Sequence, residues 1–200
     1  MTDTFTTAQA AYVMGERLRA FKKVVERAPV KPKMVNRGGR RIRQFHFFDL
    51  VFLHAYNELK ADYTAKSQAE LYEALGAVVV RGSRVREVAF GDHKYDFHRH
   101  LMVVQAKVRE LDDLTTMIDA TGRIRGTDIE AHRIAALLDA MSEEEILGDY
   151  PSLDDRQLLA SKAYAEANPK PGRPYPRITA KKAMREADLG EIDDYFAELR

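Results

Sequence analysis

The chain has 200 residues, enough for one large domain or two small ones, and a composition of 45% hydrophobic and 32% charged residues excludes wholesale disorder. Thirty-two Lys and Arg against 31 Asp and Glu leave a net charge of +1, a mean that argues against a uniformly basic nucleic-acid binder. The absence of cysteine removes disulfides, thiol nucleophiles and Cys-containing zinc sites. The first residues carry no basic leader, and no run approaches the ~18 apolar residues of a membrane span, so a soluble cytoplasmic protein without a membrane partner is expected.

The mean conceals opposed poles. Residues 1–46 hold eleven Lys and Arg against three acids, a balance of +8, whereas residues 110–166 hold fourteen acids against five basic residues, a balance of −9. Residues 167–187 turn basic again, six to one, and residues 188–200 carry five acids and one Arg. Segregation of this kind points to different partners for different parts of one chain.

In chain order, residues 5–13 read as a short helix capped by Thr6 with Gln9 as its box partner. Gly15 breaks it, and residues 16–27 form a second helix bearing Arg17, Arg19, Lys22 and Lys23. Two short helices around a two-residue break make a helix-turn-helix pattern. Residues 33–35 and 40–45 then flank Asn36-Arg37-Gly38-Gly39 as a hairpin. Its glycines permit a tight turn, and Arg37, Arg40, Arg41 and Arg43 reach towards phosphates. Residues 47–60, with Phe48, Val51, Phe52, Ala55 and Leu59 at helical spacing, give an apolar helix that packs beneath both. A solvated basic face is the plainer alternative.

On Phe5-Thr6-Thr7-Ala8-Gln9-Ala10-Ala11, Gly15, the helix from Arg17 to Val25, Gly38-Gly39-Arg40-Arg41 and Phe45-His46-Phe47-Phe48-Asp49-Leu50, residues 5–76 resemble the MerR-type winged helix-turn-helix. The resemblance implies that the helix with Arg17, Arg19, Lys22 and Lys23 enters the major groove, with the wing on the backbone. The expected DNA contacts are Thr7, Arg17, Arg19, Lys22, Lys23, Arg37, Arg40, Arg41 and Arg43. A homodimer is expected, because such readers meet palindromic sites as two-fold pairs.

Further along, residues 85–90 and 94–97 flank Gly91-Asp92 as a second hairpin, and a helix from about His98 carries Leu101, Val104, Val108 and Leu111, a spacing for core or dimer packing. His93, His98 and His100 crowd together, with His98 and His100 on one strand face and Asp92 or Asp96 nearby. No helical His-x-x-x-His pair supports a metal site, and none is expected. The chain has no phosphate loop, no Gly-x-Ser-x-Gly and no GxGxxG. The acid pairs Asp112-Asp113, Asp154-Asp155 and Asp193-Asp194 diverge on helices. No catalysis and no cofactor is therefore expected.

Helix starts are also marked by Ser67 with Glu70, Thr127 with Glu130, Ser142 with Glu145 and Ser152 with Asp155. The acidic segment, with a helix carrying Ile134, Leu137, Leu138 and Met141, a second from Ser142 to Asp149 and a third over 152–167, resembles the small GTRIP-motif helical domain of unknown function found in many VapB-like antitoxins. The matching pieces are Arg125-Gly126-Thr127, Met141-Ser142-Glu143-Glu144-Glu145-Ile146-Leu147, Asp149-Tyr150-Pro151, and Leu158, Ala160, Ala163, Tyr164 and Ala165. Phosphates would repel a segment at −9, so holding a dimer together or docking another protein is expected of it, with a partnerless helical bundle as the alternative.

Residues 169–176 contain four of the chain's seven prolines, which makes the start of the tail extended. Tyr175, Ile178 and Met184 follow, then Leu189, Ile192, Tyr195, Phe196 and Leu199, an apolar series that seeks a groove and folds on binding. A helix packing back on its own protein is the alternative. In the antitoxins that the chain resembles, such a tail wraps a cognate toxin, commonly a PIN-domain Mg²⁺-dependent ribonuclease. The resemblance implies that Arg173 or Arg177 pairs with the nuclease carboxylates in place of the metal. The expectation is thus a mainly α fold with small β-hairpins: a winged helix-turn-helix at 1–76, a hairpin and connecting helix at 77–118, an acidic helical domain at 119–168 and a toxin-binding tail, disordered when free, at 169–200. Its function is that of an antitoxin that represses its own operon, or alternatively a MerR-like regulator with a structural tail and no toxin partner.

Overall fold

The computed structural model describes residues 4–80, 87–170, 172 and 175–186. These are mainly helical with small antiparallel hairpins, as expected. They fall into two compact units, one within residues 1–113 and 166–169, the other within 114–165 and 170–200.

Unit 1 opens on a strand the sequence did not reveal. Phe5 lies in β1 (Thr4–Thr6), and the helix expected from residue 5 starts only at Thr7, as α1 (Thr7–Val13). The cause is pairing: Phe5 sits opposite Phe45 of β3 (Arg40–His46), and Gln44 Nε2 donates to Thr4 Oγ1 at 2.6 Å. Thr6 still caps the helix, receiving the Gln9 N–H at 3.3 Å while Gln9 receives the Thr6 N–H at 2.9 Å. Gly15, at φ +66°, makes the turn, and α2 (Leu18–Arg27) follows.

The basic hairpin pairs β2 (Lys33–Arg37) with β3 in register Val35↔Ile42 and Arg37↔Arg40. Its strands run closer to the tip than expected, because a two-residue turn needs positive φ at both central positions and Gly38 and Gly39 supply +57° and +75°. The sheet order is β1-β3-β2.

Two helices follow this sheet: α3 (Phe47–Asp62), which packs on β3, and α4 (Ala65–Val80), which packs on α3. The box expected at Ser67 does not start α4. Thr64 does, receiving the Ser67 N–H at 3.3 Å. Asp49, fully buried, accepts the His46 N–H at 2.7 Å through one carboxylate oxygen and the Tyr72 hydroxyl at 2.7 Å through the other. The Tyr72 hydroxyl in turn accepts the Lys31 N–H at 3.1 Å. Burial pushes the Asp49 carboxyl above its ordinary range while the Tyr72 and His46 hydrogen bonds pull it down. Burial and then the Asp49 bond raise Tyr72.

The second hairpin, β4 (Glu87–Phe90) and β5 (His93–Asp96), turns at Gly91 and leads to α5 (His98–Thr115). Val88, Phe90, Phe97, Val104, Val108 and Leu111 join the same core as Phe5, Phe21, Phe45 and Phe52, so this stretch packs with the first 76 residues rather than linking separate bodies. Of the two uses open to the α5 stripe, core packing is the one seen.

Unit 2 contains α6 (Ala131–Leu138), α7 (Glu143–Asp149) and α8 (Asp155–Ala167, whose last two residues group with unit 1), around Ile124, Ile134, Leu137, Ile146 and Leu158. Ser142 and Glu145 form their box reciprocally, at 3.2 and 3.0 Å. Thr127 and Glu130 do not, because Thr127 Oγ1 is engaged in its own loop with Ile124 O and the Ile129 N–H. At α8 the cap is Asp154, exchanging bonds with Gln157 at 2.7 and 3.0 Å, two residues beyond Ser152. In the tail, residues 175–186 follow the proline-rich start. They pack on unit 2 and include α9 (Ala180–Glu186).

Tyr72→Phe leaves one Asp49 oxygen and the Lys31 N–H without their partner inside unit 1. It is expected to lower unfolding stability by about 1–3 kcal/mol with an unchanged denaturant slope, read by urea denaturation. Wild-type stability in that variant would show that water replaces the hydroxyl.

Candidate nucleic-acid interface

The apolar face of α2 fixes where its charges go. Phe21 is buried edge-on against Phe45 of β3 with ring centres 5.6 Å apart, Val25 is buried beside it, and the Arg27 carbonyl accepts the Tyr56 hydroxyl of α3 at 2.8 Å. With that side turned inward, Arg17, Arg19, Lys22 and Lys23 are all exposed. Arg19 and Lys23, four apart, share one stripe of the helix.

Lys22 borders an opening of about 680 Å³ that also brings together Thr7, Arg41 and Arg43. Leu18, Met34 and Ile42 give it an apolar lining, and Met34 stands directly opposite Arg43 in the sheet. Thr7 and Arg43 are half-buried and Arg41 is exposed. Glu26 is the one acid among the lining residues. Arg40 is exposed beside the Gly38-Gly39 tip. Arg37 ends β2 opposite it, with a side chain outside the described residues.

Among the described residues, none of Arg17, Arg19, Lys22, Lys23, Arg40, Arg41 and Arg43 forms an ion pair, although ten ion pairs join other residues. Sequence reasoning named the cations of this surface but missed its apolar lining.

The tail candidates are spread. Tyr175 is half-buried, while Arg177, Ile178 and Met184 are exposed. Arg173, Leu189, Ile192, Tyr195 and Phe196 lie outside the described residues.

The histidine cluster differs from expectation. His98 and His100 lie in the first turn of α5, not on a strand, and His93 is not hydrogen-bonded to either. The partner of His100 is His54 of α3, 46 residues away, with the two Nδ1 atoms 2.8 Å apart. His100 Nε2 lies 3.2 Å from the Tyr95 hydroxyl and 3.4 Å from Glu58, and Glu58 also pairs with Arg99. Among the described residues no group of three or more His, Asp or Glu is arranged to hold a metal. Burial lowers both histidines, with Arg99 adding to the effect at His54 and the neighbouring His54 at His100, where Glu58 opposes it. Burial, and then Glu58, push the Tyr95 phenol up to about 12. The contact between the two Nδ1 atoms holds one proton, so a second forces like N–H groups together.

With this geometry in view, one comparison bears on the chain. Residues 121–165 match a family described as a protein of unknown function, DUF433. No curated protein and no solved structure matches. The DUF433 segment covers α6, α7 and most of α8, and lies outside the basic surface. It contains every piece on which the GTRIP-motif resemblance rests. Among the described residues no helix is long and apolar enough to cross a membrane.

Because the folded pair holds its histidines below the ordinary value near 6.5, the unfolded chain binds more protons as pH falls through that value. This contribution to stability is complete above about pH 6.5 and shrinks below it. Urea midpoints for wild type should therefore drop between pH 7.5 and pH 5 more than those of His54→Gln/His100→Gln. Identical pH slopes for the two proteins would acquit the pair.

Proposed function

We propose that the chain is a DNA-binding repressor and the antitoxin of a type II toxin–antitoxin pair. In this reading α1, the Gly15 turn and α2 act as a helix-turn-helix, α2 lies in the major groove, and the β2–β3 hairpin is the wing on the phosphate backbone. The observation that carries it is the set of seven exposed or half-buried cations on β3, on α2 and at Arg17, the N-cap residue of α2, none with an acidic partner among the described residues, with a two-glycine tip ending the hairpin. Each such cation that meets a phosphate releases counterions, so affinity should fall steeply with salt. A homodimer supplies two such surfaces to a palindromic operator.

The antitoxin half rests on the resemblance of residues 119–168 and on the tail, where Arg177, Ile178 and Met184 face solvent. The partner is a toxin of the PIN-domain, Mg²⁺-dependent ribonuclease class, with Arg173 and Arg177 as the groups that enter its acidic site. One observation favours a second reading, a MerR-like regulator with a structural tail: Tyr175, Thr179 and Lys182 are engaged with unit 2 of the same chain.

Arg40→Ala is expected to weaken binding by a similar factor on every DNA sequence and to reduce the slope of log K against log salt by about one unit. A slope equal to wild type removes the wing from the phosphates. For the tail, co-expression with the protein of the adjacent reading frame should give a complex with no ribonuclease activity. Replacing Arg173 and Arg177 together should restore that activity, and full inhibition by the double variant would leave the arginine plug without support. Failure to form any complex favours the regulator.

A further inference from the structure

Unit 2 carries a basic segment of its own chain on its acidic side. Tyr175 borders an opening of about 350 Å³ together with Asp128, Ile129, Glu130, Arg133 and Tyr150. Its hydroxyl donates to Glu130, which also receives Lys170 Nζ at 3.0 Å. Thr179, 3% exposed, donates its hydroxyl to Asp149 and receives the Lys182 N–H at 3.0 Å, which caps α9. Lys182 Nζ, on a side chain only 19% exposed, donates to Glu145 at 2.9 Å. Arg185 lies 3.6 Å from the Asp149 carboxylate, and Lys181 Nζ donates to the Asp149 carbonyl at 3.4 Å.

Three features make this more than a chance crossing. A helix of seven residues is far below the ~12–15 that persist alone in water, so α9 depends on what it touches. The contacts follow charge: Lys182 and Arg185 of the segment meet Glu145 and Asp149, and Lys170 just before it meets Glu130, while Ile178 and Met184 stay outward at 38% and 61% exposure. The carboxylates also respond to it. Hydrogen bonds from Tyr175 and Lys170 hold Glu130 below the usual carboxylate range, and those from Lys182 and the Ser142 N–H do the same for Glu145.

We infer that Glu130, Glu145 and Asp149 form a docking surface for a Lys- and Arg-rich peptide, with Glu130 taking a tyrosine hydroxyl, and that its resident occupant is residues 175–186 of the same chain. The surface deepens the antitoxin reading, because it orders the strap polar side inward and leaves Arg177, Ile178 and Met184 for a partner to meet. Its contacts, however, lie wholly inside unit 2.

The test compares the full chain with Lys182→Glu/Arg185→Glu, which reverses the strap and leaves the surface intact. In wild type at low salt, amide exchange over 179–186 is expected to be at least about tenfold slower than in a free coil, with protection fading towards 1 M salt. The variant should lose that protection without any change in the melting of unit 2. A synthetic peptide of residues 169–187, added in trans, should bind the variant at least about tenfold more tightly than wild type, whose surface is occupied. Coil-rate exchange in wild type at low salt, unchanged protection in the variant, or a variant that ignores the peptide would each overturn the inference. None of these readouts involves DNA or a toxin. Their failure therefore leaves the proposed function standing, and failure of repression or toxin inhibition leaves the docking surface standing.

Discussion

Asp49 is a carboxylate shut away from water inside unit 1, and the basic surface depends on how its two oxygens are satisfied. One takes the N–H of His46, the last residue of β3, and the other takes the hydroxyl of Tyr72 on α4. That same hydroxyl takes the N–H of Lys31, two residues before β2. Both feet of the hairpin are thus tied, through two side chains, to the helices behind it. A buried, fully satisfied network of this kind is costly to break, because each group left without a partner keeps its desolvation penalty. The tip, by contrast, is two glycines. The hairpin is thus clamped at its base, while its end turns on Gly38 and Gly39 at positive φ.

Near-neutrality of the whole chain is resolved locally in two different ways. In unit 1 the cations of α2 and β3 are left without acidic partners among the described residues, although Glu16 and Glu26 are close in sequence. In unit 2 the tail's Lys170, Lys182 and Arg185 all find carboxylates. The same residue types therefore carry different information in the two places. An unpaired set on a rigid support is available to an outside polyanion, whereas a paired set is already spent on its own fold.

What the sequence disclosed follows the range of the interaction behind each element. The Gly38-Gly39 turn was legible because positive φ at two adjacent positions is a local demand. The fold class was legible because helical spacing of apolar residues is local too. Helix starts were legible where the expected cap and its partner three residues on close reciprocally, as at Thr6 with Gln9 and Ser142 with Glu145. Where two polar residues competed, the cap moved, from Ser67 to Thr64 and from Ser152 to Asp154. The strand at Phe5 and the pair His54–His100 were not legible, since each depends on a partner some 40 or more residues away. The same limit applies to the basic surface: its arginines and lysines could be named from composition, but not the apolar residues that line the opening between them.

Ionic strength separates the interactions that make the fold from those that do its work. Under the proposed reading, the phosphate contacts of α2 and the hairpin weaken with salt through counterion release. The strap's exposed ion pairs weaken through screening, which is severe for groups that water reaches. The Asp49–Tyr72–Lys31 network and the aromatic core of Phe21, Phe45 and Phe52 lie out of water and are screened little. Under that reading, raising salt towards 1 M should free the strap and release DNA from the basic surface while both units keep their cores. On the proposed reading, such a chain exchanges partners at its charged surfaces without unfolding, because the charges that bind are not those of the Asp49 network that hold the fold.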